Sequence, residues 1–215
     1  MNKFININEA ISKIKSGTTI MFGGFLGNGS ATMIIAELLK TDIKDLTIIC
    51  NDTAFVNKGV GQLIVNKKVK KIICSHIGTN PSTIEQFNNK EVEIEFVPQG
   101  TLAERIRCGG NGLGGFLTPT GLGTIVENGK EIIESEGKKY LLEKPLKADL
   151  AIIYADTADE NGNLVYKGTC TNFNPLMAMA ADTVIVEVKK VVKTGDIAPE
   201  MVKTPAIFVD FIVKL

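Results

Sequence analysis

The feature that most limits the fold of this 215-residue chain is an alternation of short, β-branched apolar runs with helical patterns. The apolar runs predict strands at Thr18–Phe22, Leu46–Cys50, Lys71–Ser75, Glu93–Val97, Leu150–Tyr154, Thr183–Val188 and Ala206–Val213. Helices are predicted at Ala31–Lys40, with Ser30 as the N-cap, and at Val60–Asn66 and Ser82–Phe87. This alternation predicts an α/β fold, with an open, mainly parallel sheet and helices on both faces.

The middle of the chain interrupts the alternation. Residues 108–123, CGGNGLGGFLTPTGLG, contain seven glycines in sixteen positions, a density at which no regular helix or strand is expected. We therefore predict a single domain over residues 1–215, with an irregular, glycine-rich excursion at about 108–145. Further along, Asp159–Tyr166 contains an Asn-Gly pair and predicts a hairpin.

Charge and composition exclude several classes of protein. Lys plus Arg and Asp plus Glu each total 24, so the formal net charge is zero, whereas nucleic-acid-binding chains normally carry a basic excess. No apolar run is long enough to span a membrane, and the first ten residues do not resemble a signal peptide. Four dispersed cysteines and one histidine favour reduced thiols over a metal site. We expect a cytoplasmic protein that binds neither nucleic acid nor membrane.

Glycine or small polar residues follow each of the first four predicted strands. In chain order these segments are Gly23–Ser30, Asn51–Thr53, His76–Asn80 and Pro98–Thr101. Parallel strands place their carboxyl ends along one edge of a sheet, and open α/β sheets bind ligands at that edge. The four loops therefore predict a ligand site there.

The first of these loops, Gly24–Ser30, is the strongest local signal. Its glycines allow a tight turn and a close approach of a ligand, and the N-terminus of the following helix offers N–H groups to phosphate. The glycine order G-x-x-G-x-G differs from a dinucleotide fingerprint, and no P-loop Lys-Ser/Thr pair follows, which disfavours a nucleotide-dependent oxidoreductase. The alternative to a ligand role is a plain turn between strand and helix.

Few side chains are candidates for catalysis. Gln99, at a strand end, has an uncharged amide that can donate a hydrogen bond to a developing oxyanion, although a surface glutamine is the more ordinary interpretation. Thr101 and Glu104 fit a capping box. Arg105 and Arg107 are two residues apart and cannot share a helix face, so we expect salt bridges, with one of them able to reach a ligand or a partner.

The single histidine, His76, would have to serve any Ser-His-Asp or Cys-His site. Ser75 is adjacent and points to the opposite face if the strand continues, so we expect a neutral, hydrogen-bonded His76 instead of a triad. Glu127 is interpreted as part of a turn. Because no convincing nucleophile or base is present, either the chain is a binding protein or another chain supplies the catalytic group.

Several longer motifs resemble the α subunit of the two-chain family I CoA-transferases, in the bacterial acetate/butyrate–acetoacetate branch. They are GGFLGNG from Gly23, PQGTLAERIRCGGNGLGG from Pro98, TPTGLGT from Thr118 and NFNPLMAMAA from Asn172. The resemblance extends from about residue 4 to 213. It implies a fold similar to that of the CoA-transferases and the sugar-phosphate isomerases.

The resemblance also implies an activity of the EC 2.8.3 type, which requires a β subunit. CoA would move between a short-chain acyl-CoA and acetate, acetoacetate or butyrate, as in short-chain fatty acid metabolism. A glutamate of the β subunit is expected to form an acyl anhydride and then a glutamyl-CoA thioester, with ping-pong kinetics. CoA is then a substrate, no cofactor is bound permanently, and an α₂β₂ heterotetramer is expected.

For individual residues, the resemblance implies an oxyanion donor at Gln99 and a polar contact to the substrate carboxylate at Asn51, and it leaves the role of Asp52 open. It implies no metal site. The residues it assigns to CoA binding are Gly24, Phe25, Leu26, Gly27, Asn28, Gly29 and Ser30. The alternative from a different class is a stand-alone sensor that binds CoA or a sugar phosphate without chemistry.

Overall fold

The computed structural model describes residues 2–215, and most of its strands form one large sheet. The strands are β1 (Thr19–Phe22), β2 (Leu46–Ile49), β3 (Val69–Cys74), β4 (Glu93–Phe96), β5 (Phe116–Thr118), β6 (Ile132–Ser135), β7 (Lys138–Glu143), β8 (Ala148–Asp159), β9 (Leu164–Val165), β10 (Ala181–Val192) and β11 (Phe211–Lys214). The large sheet has the order β11-β10-β8-β1-β2-β3-β4, with all of these neighbours parallel, and β9 pairs antiparallel with β8. The prediction of a mainly parallel α/β sheet is confirmed.

Helices cover both faces of this sheet. They are α1 (Ile7–Ile11), α2 (Thr32–Leu39), α3 (Gly61–Val65), α4 (Pro81–Asn88), α5 (Gln99–Gly110) and α6 (Asn174–Ala178), with short 3₁₀ turns at Ile125–Glu127, Gly168–Thr171, Pro199–Met201 and Ala206–Phe208. Successive strand residues point to opposite faces, so Ile20 and Ile48 pack with α2 and α3, whereas Met21 and Ile49 pack with α5 and α6. Each such buried side chain contributes about 1.5–3 kcal/mol.

The register of the central strands aligns the loops that follow them. Ile20 pairs with Ile48, and Ile48 pairs with Ile72, so β1, β2 and β3 end at the same level. Backbone hydrogen bonds continue beyond the strands, because Thr53 N donates to His76 O at 3.2 Å. The segments after these strands therefore lie side by side.

The glycine-rich middle of the chain is more regular than predicted. Helix α5 continues through Gly110, and β5 lies inside the segment that was expected to hold no strand. Together β5, β7 and β6 form a separate three-stranded antiparallel sheet. The carboxylate of Glu143, 1% exposed, anchors this sheet by accepting a hydrogen bond from the Lys130 ammonium and by lying 3.8 Å from Arg105 Nε. The prediction that residues 108–145 are irregular is therefore wrong, because they contain the end of α5 and a small sheet. The single domain over residues 1–215 stays a prediction.

Two other local predictions have different outcomes. The hairpin at Asp159–Tyr166 is confirmed as the β8–β9 pair, and Asp159 accepts hydrogen bonds from three backbone N–H groups of its turn. The predicted strand Ala206–Val213 is wrong in its first half, which forms a 3₁₀ turn ending at Phe208. Ile207 there is 84% exposed and has no apolar surface to cover it, so its β-branched character does not produce a strand. No helix among the described residues is long and apolar enough to cross a membrane.

Candidate functional site

The loop Gly24–Ser30 is built around a tight turn directly after β1. Phe25 N donates to Asn28 O at 3.0 Å, and Asn28 N donates back to Phe25 O at 2.9 Å. Leu26 has a φ of +48°, and Gly27 has a φ of +75°, in the left-handed region that favours glycine. Within residues 2–215, the N–H groups of Gly27, Gly29 and Ser30 meet no hydrogen-bond acceptor. Gly29 is partly exposed, whereas Gly27 and Ser30 are buried, so Gly29 is the residue of the three that is open to a ligand.

Two asparagines from the segment before and within α6 hold this loop from behind. Asn172 Oδ1 accepts from Gly24 N at 3.1 Å, and its Nδ2 donates to Asn28 O at 3.1 Å. Asn174, fully buried, donates from Nδ2 to Gly29 O at 3.1 Å. A Cβ on Gly23 would lie 1.7 Å from Asn174 Oδ1, so only glycine fits beside this side chain. The loop shape thus depends on residues that lie almost 150 positions away in the sequence.

A second turn of the same kind follows β2. Phe55 and Lys58 form an antiparallel bridge, as Phe25 and Asn28 do in the first turn. Lys58 Nζ donates to Asn28 Oδ1 at 3.0 Å, and the Lys58 side chain lies over Gly27, where a Cβ would meet Lys58 Cγ at 2.6 Å. The second turn therefore supports the first and brings one ammonium group to its tip.

The loops after β1, β2 and β4 are joined by a chain of polar side chains. Gln99 Nε2 donates to Asn51 Oδ1 at 2.7 Å, and Asn51 Nδ2 donates to Asp52 Oδ2 at 2.6 Å. The same Asp52 oxygen accepts from Leu26 N at 3.0 Å. Asn51 and Asp52 are 2% and 4% exposed, whereas Gln99 lies at the surface. These contacts connect the glycine loop to Gln99.

A cavity of about 310 Å³ lies where the loop and Gln99 meet. The residues lining it are Phe25, Gln99, Gly100, Ala103, Asn172, Phe173 and Leu176. All four post-strand loops lie at one edge of the sheet, as expected, because the third is joined to the second by hydrogen bonds from Thr53 N to His76 O at 3.2 Å and from Asn80 Nδ2 to Thr53 O at 3.1 Å. His76, from the third, is exposed, and its ring makes no side-chain hydrogen bond to any described residue, so the prediction of a hydrogen-bonded histidine is wrong.

The expectation that the helix after the glycine loop offers its N-terminus to phosphate is wrong. Glu187, on β10, is fully buried, and its Oε2 accepts from Ile34 N at 2.9 Å in the first turn of α2. Burial raises the pKa of Glu187, and hydrogen bonds from the N–H groups of Thr32, Met33 and Ile34 oppose that effect. The protein's own carboxyl group therefore occupies the position that an anion would take.

Two capping predictions are also wrong. Helix α2 starts at Thr32 with Ala31 as its N-cap, because Glu187 replaces the cap expected from Ser30. Helix α5 starts at Gln99, two residues before Thr101, so no capping box forms.

The arginines and the acidic residues near them are used in local contacts. Glu104 forms an ion pair with Arg107 at 2.9 Å, and Arg105 pairs with Glu95 at 2.7 Å. Both arginines are therefore in salt bridges, as expected. Glu127 accepts from Gly123 N at 2.6 Å, which confirms its interpretation as part of a turn.

Cys50 and Cys74 are unsuited to act as nucleophiles. All four cysteines are free thiols, and three of them are buried. Burial raises the pKa of Cys50 well above its usual value, and that of Cys74 to about 12. Both thiols therefore stay protonated near neutral pH and unreactive. No group of side chains within residues 2–215 has the composition of a metal site.

The site also contains three residues whose roles no single sequence motif predicts. Asn172, Asn174 and Lys58 shape the glycine loop, but each lies far from it in sequence or follows a different strand. The signal that marks the two asparagines is the NFNP run at Asn172, which carried the family resemblance without a role for either side chain.

Comparison with known proteins identifies the family of this chain. The family model for coenzyme A transferase matches residues 4–215, and the chain belongs to this family. Within it, the chain is 50% identical over 211 residues to the acetate CoA-transferase subunit alpha of Escherichia coli, covering 98% of this chain and 96% of that protein. It is 52% identical over 213 residues to the acetoacetyl-CoA:acetate/butyrate CoA transferase alpha subunit of Clostridium acetobutylicum, covering 99% and 98%.

Solved structures show the same fold at lower sequence identity. An acyl-CoA transferase from Escherichia coli O157:H7, solved as a thioester complex with CoA, matches with a TM-score of 0.87 at 23% identity. The match covers 100% of this chain but 47% of that one, so this chain corresponds to about half of it. Glutaconate coenzyme A-transferase from Acidaminococcus fermentans matches with a TM-score of 0.85 at 20% identity, over 99% and 75% of the two chains.

Proposed function

We propose that this chain is the α subunit of an enzyme that transfers CoA between a short-chain acyl-CoA and acetate, acetoacetate or butyrate. The observation that carries the proposal is the hydrogen-bonded chain from Leu26 N through Asp52 and Asn51 to Gln99, which ends at one cavity. The substrates follow from relatives of 50% and 52% identity that are named for acetate, acetoacetyl-CoA and butyrate. The stand-alone sensor is not favoured, because these relatives are named as transferase subunits.

The reaction needs a nucleophile that this chain does not place in the cavity. We propose that a glutamate of a β subunit attacks the thioester carbonyl carbon, so that a C–O bond forms and the carbonyl oxygen becomes an oxyanion. Collapse of this intermediate expels the CoA thiolate and leaves an acyl-glutamyl anhydride. The thiolate then attacks the glutamyl carbonyl and releases the acyl group as a carboxylate, which gives glutamyl-CoA. An acceptor carboxylate reverses both steps.

Gln99 is the proposed donor to that oxyanion. One N–H of its amide is donated to Asn51, which leaves the second N–H for the oxyanion. The residues proposed to receive CoA are those of Gly24–Ser30, where the N–H group of the partly exposed Gly29 meets no acceptor among the described residues. Asn51 is buried behind Gln99, so we assign it to holding Gln99 and retain its contact with the substrate carboxylate as a prediction.

The division of the site between two chains is tested by reconstitution. The purified chain alone should show no CoA transfer from acetoacetyl-CoA to acetate, because it lacks the nucleophile. Addition of a β subunit should restore turnover, with saturation at an equal number of the two chains, as an α₂β₂ assembly requires. The assay follows loss of acetoacetyl-CoA absorbance over a titration of β into α.

Isothermal titration calorimetry with CoA distinguishes a transferase subunit from a stand-alone sensor that binds CoA without chemistry. A subunit that holds half of a cleft should bind CoA weakly when alone and more tightly after assembly. Tight binding by the isolated chain, together with no activity in the presence of β, would contradict the proposed function.

A further inference from the structure

The carboxylate of Asp52 is buried without an opposite charge. It is 4% exposed, and within the described residues no Lys, Arg or His nitrogen lies within 4.0 Å of it. Its hydrogen bonds come from neutral donors: Ala54 N at 2.8 Å to Oδ1, and Leu26 N and Asn51 Nδ2 to Oδ2. Burying an unpaired carboxylate opposes folding, so a local function would account for its presence.

The acceptor-only chemistry of a carboxylate determines the orientation of the next two amides. Because Asp52 can only accept, Asn51 must turn its NH₂ group toward it and its Oδ1 away. Asn51 Oδ1 then accepts from Gln99 Nε2 at 2.7 Å and lies 3.3 Å from Ser75 Oγ. Gln99 must therefore present its NH₂ end, not its carbonyl, on the side of Asn51.

The orientation of the Gln99 amide decides whether Gln99 can donate a hydrogen bond to an oxyanion. With Nε2 next to Asn51, the second N–H of that nitrogen is available to a developing negative charge. If the Gln99 amide rotated by 180°, its Oε1 would take the place of the donor and repel an oxyanion. Nothing else among the described residues fixes the Gln99 amide, since its only side-chain hydrogen bond is the one to Asn51.

The same carboxylate also holds the glycine loop. Leu26 has a φ of +48°, an uncommon conformation for a residue with a branched side chain, and its N–H is donated to Asp52. A single side chain therefore fixes both the turn proposed to bind CoA and the direction of the proposed oxyanion donor.

We propose that Asp52 is a positioning residue that orients Gln99 as a hydrogen-bond donor through Asn51. This inference rests on the proposed CoA transfer and adds a residue whose role the sequence left open. Asp52 acts through Gln99, so its effect on kcat should disappear when Gln99 cannot donate.

A double-mutant cycle in the assembled α and β subunits tests this dependence. Asp52→Ala should lower kcat by about 10- to 100-fold in the wild-type background, a part of the roughly 100- to 1000-fold that one oxyanion donor contributes. In the Gln99→Ala background, the same substitution should change kcat less than about threefold. An equal fold loss in both backgrounds, or no loss in either, would overturn the proposal.

The matched control is Asp159, another buried carboxylate that accepts backbone hydrogen bonds, in the β8–β9 turn. Asp159→Ala should lower the unfolding temperature with little change in kcat of the folded assembly. If Asp52→Ala does not assemble, Asn51→Leu breaks the connection at the next residue and should show the same dependence on Gln99. Activity of the wild-type assembly shows independently whether the proposed function holds.

Discussion

Replacing Gln99 by alanine should lower kcat by about 100- to 1000-fold, equivalent to about 2.7–4 kcal/mol of transition-state stabilisation. The expected cause is loss of the amide N–H that faces the oxyanion formed when the thioester is attacked. KM for acyl-CoA should change much less, since this hydrogen bond strengthens as the negative charge develops. Steady-state kinetics of the assembled variant measure both constants.

The Gln99 substitution has a small expected effect on folding, because the side chain lies at the surface. Gln99→Glu is a sharper version, since it keeps the shape but replaces the donor with a carboxylate. Gln62→Ala on α3 is the control, because that side chain makes no hydrogen bond to the described residues. A Gln99→Ala enzyme with wild-type kcat would remove Gln99 from the mechanism.

Replacing Gly27 by alanine should raise KM for acyl-CoA by about tenfold, with a smaller change in kcat. Its φ of +75° disfavours any residue with a Cβ by about 1–2 kcal/mol. The new Cβ would also lie 2.6 Å from Lys58 Cγ, which is too close, so the Lys58 side chain would have to move. A tenfold weaker affinity corresponds to about 1.4 kcal/mol of binding free energy, which lies within this range of backbone strain. The measurement is initial rate against acyl-CoA concentration.

Gly129 provides a matched control for backbone strain alone. Its φ is +77°, and a Cβ there would meet no atom within 4 Å. Gly129→Ala should therefore have a comparable effect on backbone strain but leave KM unchanged. Equal KM values for the Gly27 variant and the wild type would favour a turn that has no role in binding.

The parts of the fold that depend on local patterns could be predicted from the sequence. The runs at Leu46–Cys50 and Lys71–Ser75 identify covered strands, because near-continuous apolar residues suit a sheet packed on both faces. The ligand edge follows from the same topology, since parallel strands end together. The segment 108–123 was mispredicted because glycine content describes flexibility in an isolated chain, whereas α5 packs Gly109 directly against the backbone at Leu146.

The details of the site depend on contacts between distant residues and could not be predicted in the same way. Glu187 reaches the N-terminus of α2 across 153 positions, and Asn172 reaches Gly24 across 148. The sequence around Glu187 and the sequence around Asn172 contain no local motif that indicates which distant backbone group each side chain will bind. Asp52 lies close to the predicted site in sequence, yet its importance appears only when the donors to its carboxylate are considered together with the hydrogen bond between Asn51 and Gln99.

The central claim is that this chain holds the thioester for a nucleophile carried by another chain. Mass spectrometry of both subunits, after brief incubation of the assembly with acyl-CoA and acid quenching, tests this claim most directly. The account predicts that the β chain gains the mass of CoA minus one water, as a glutamyl-CoA thioester requires, and that this chain keeps its unmodified mass. A CoA adduct on this chain, formed with or without β present, would contradict it.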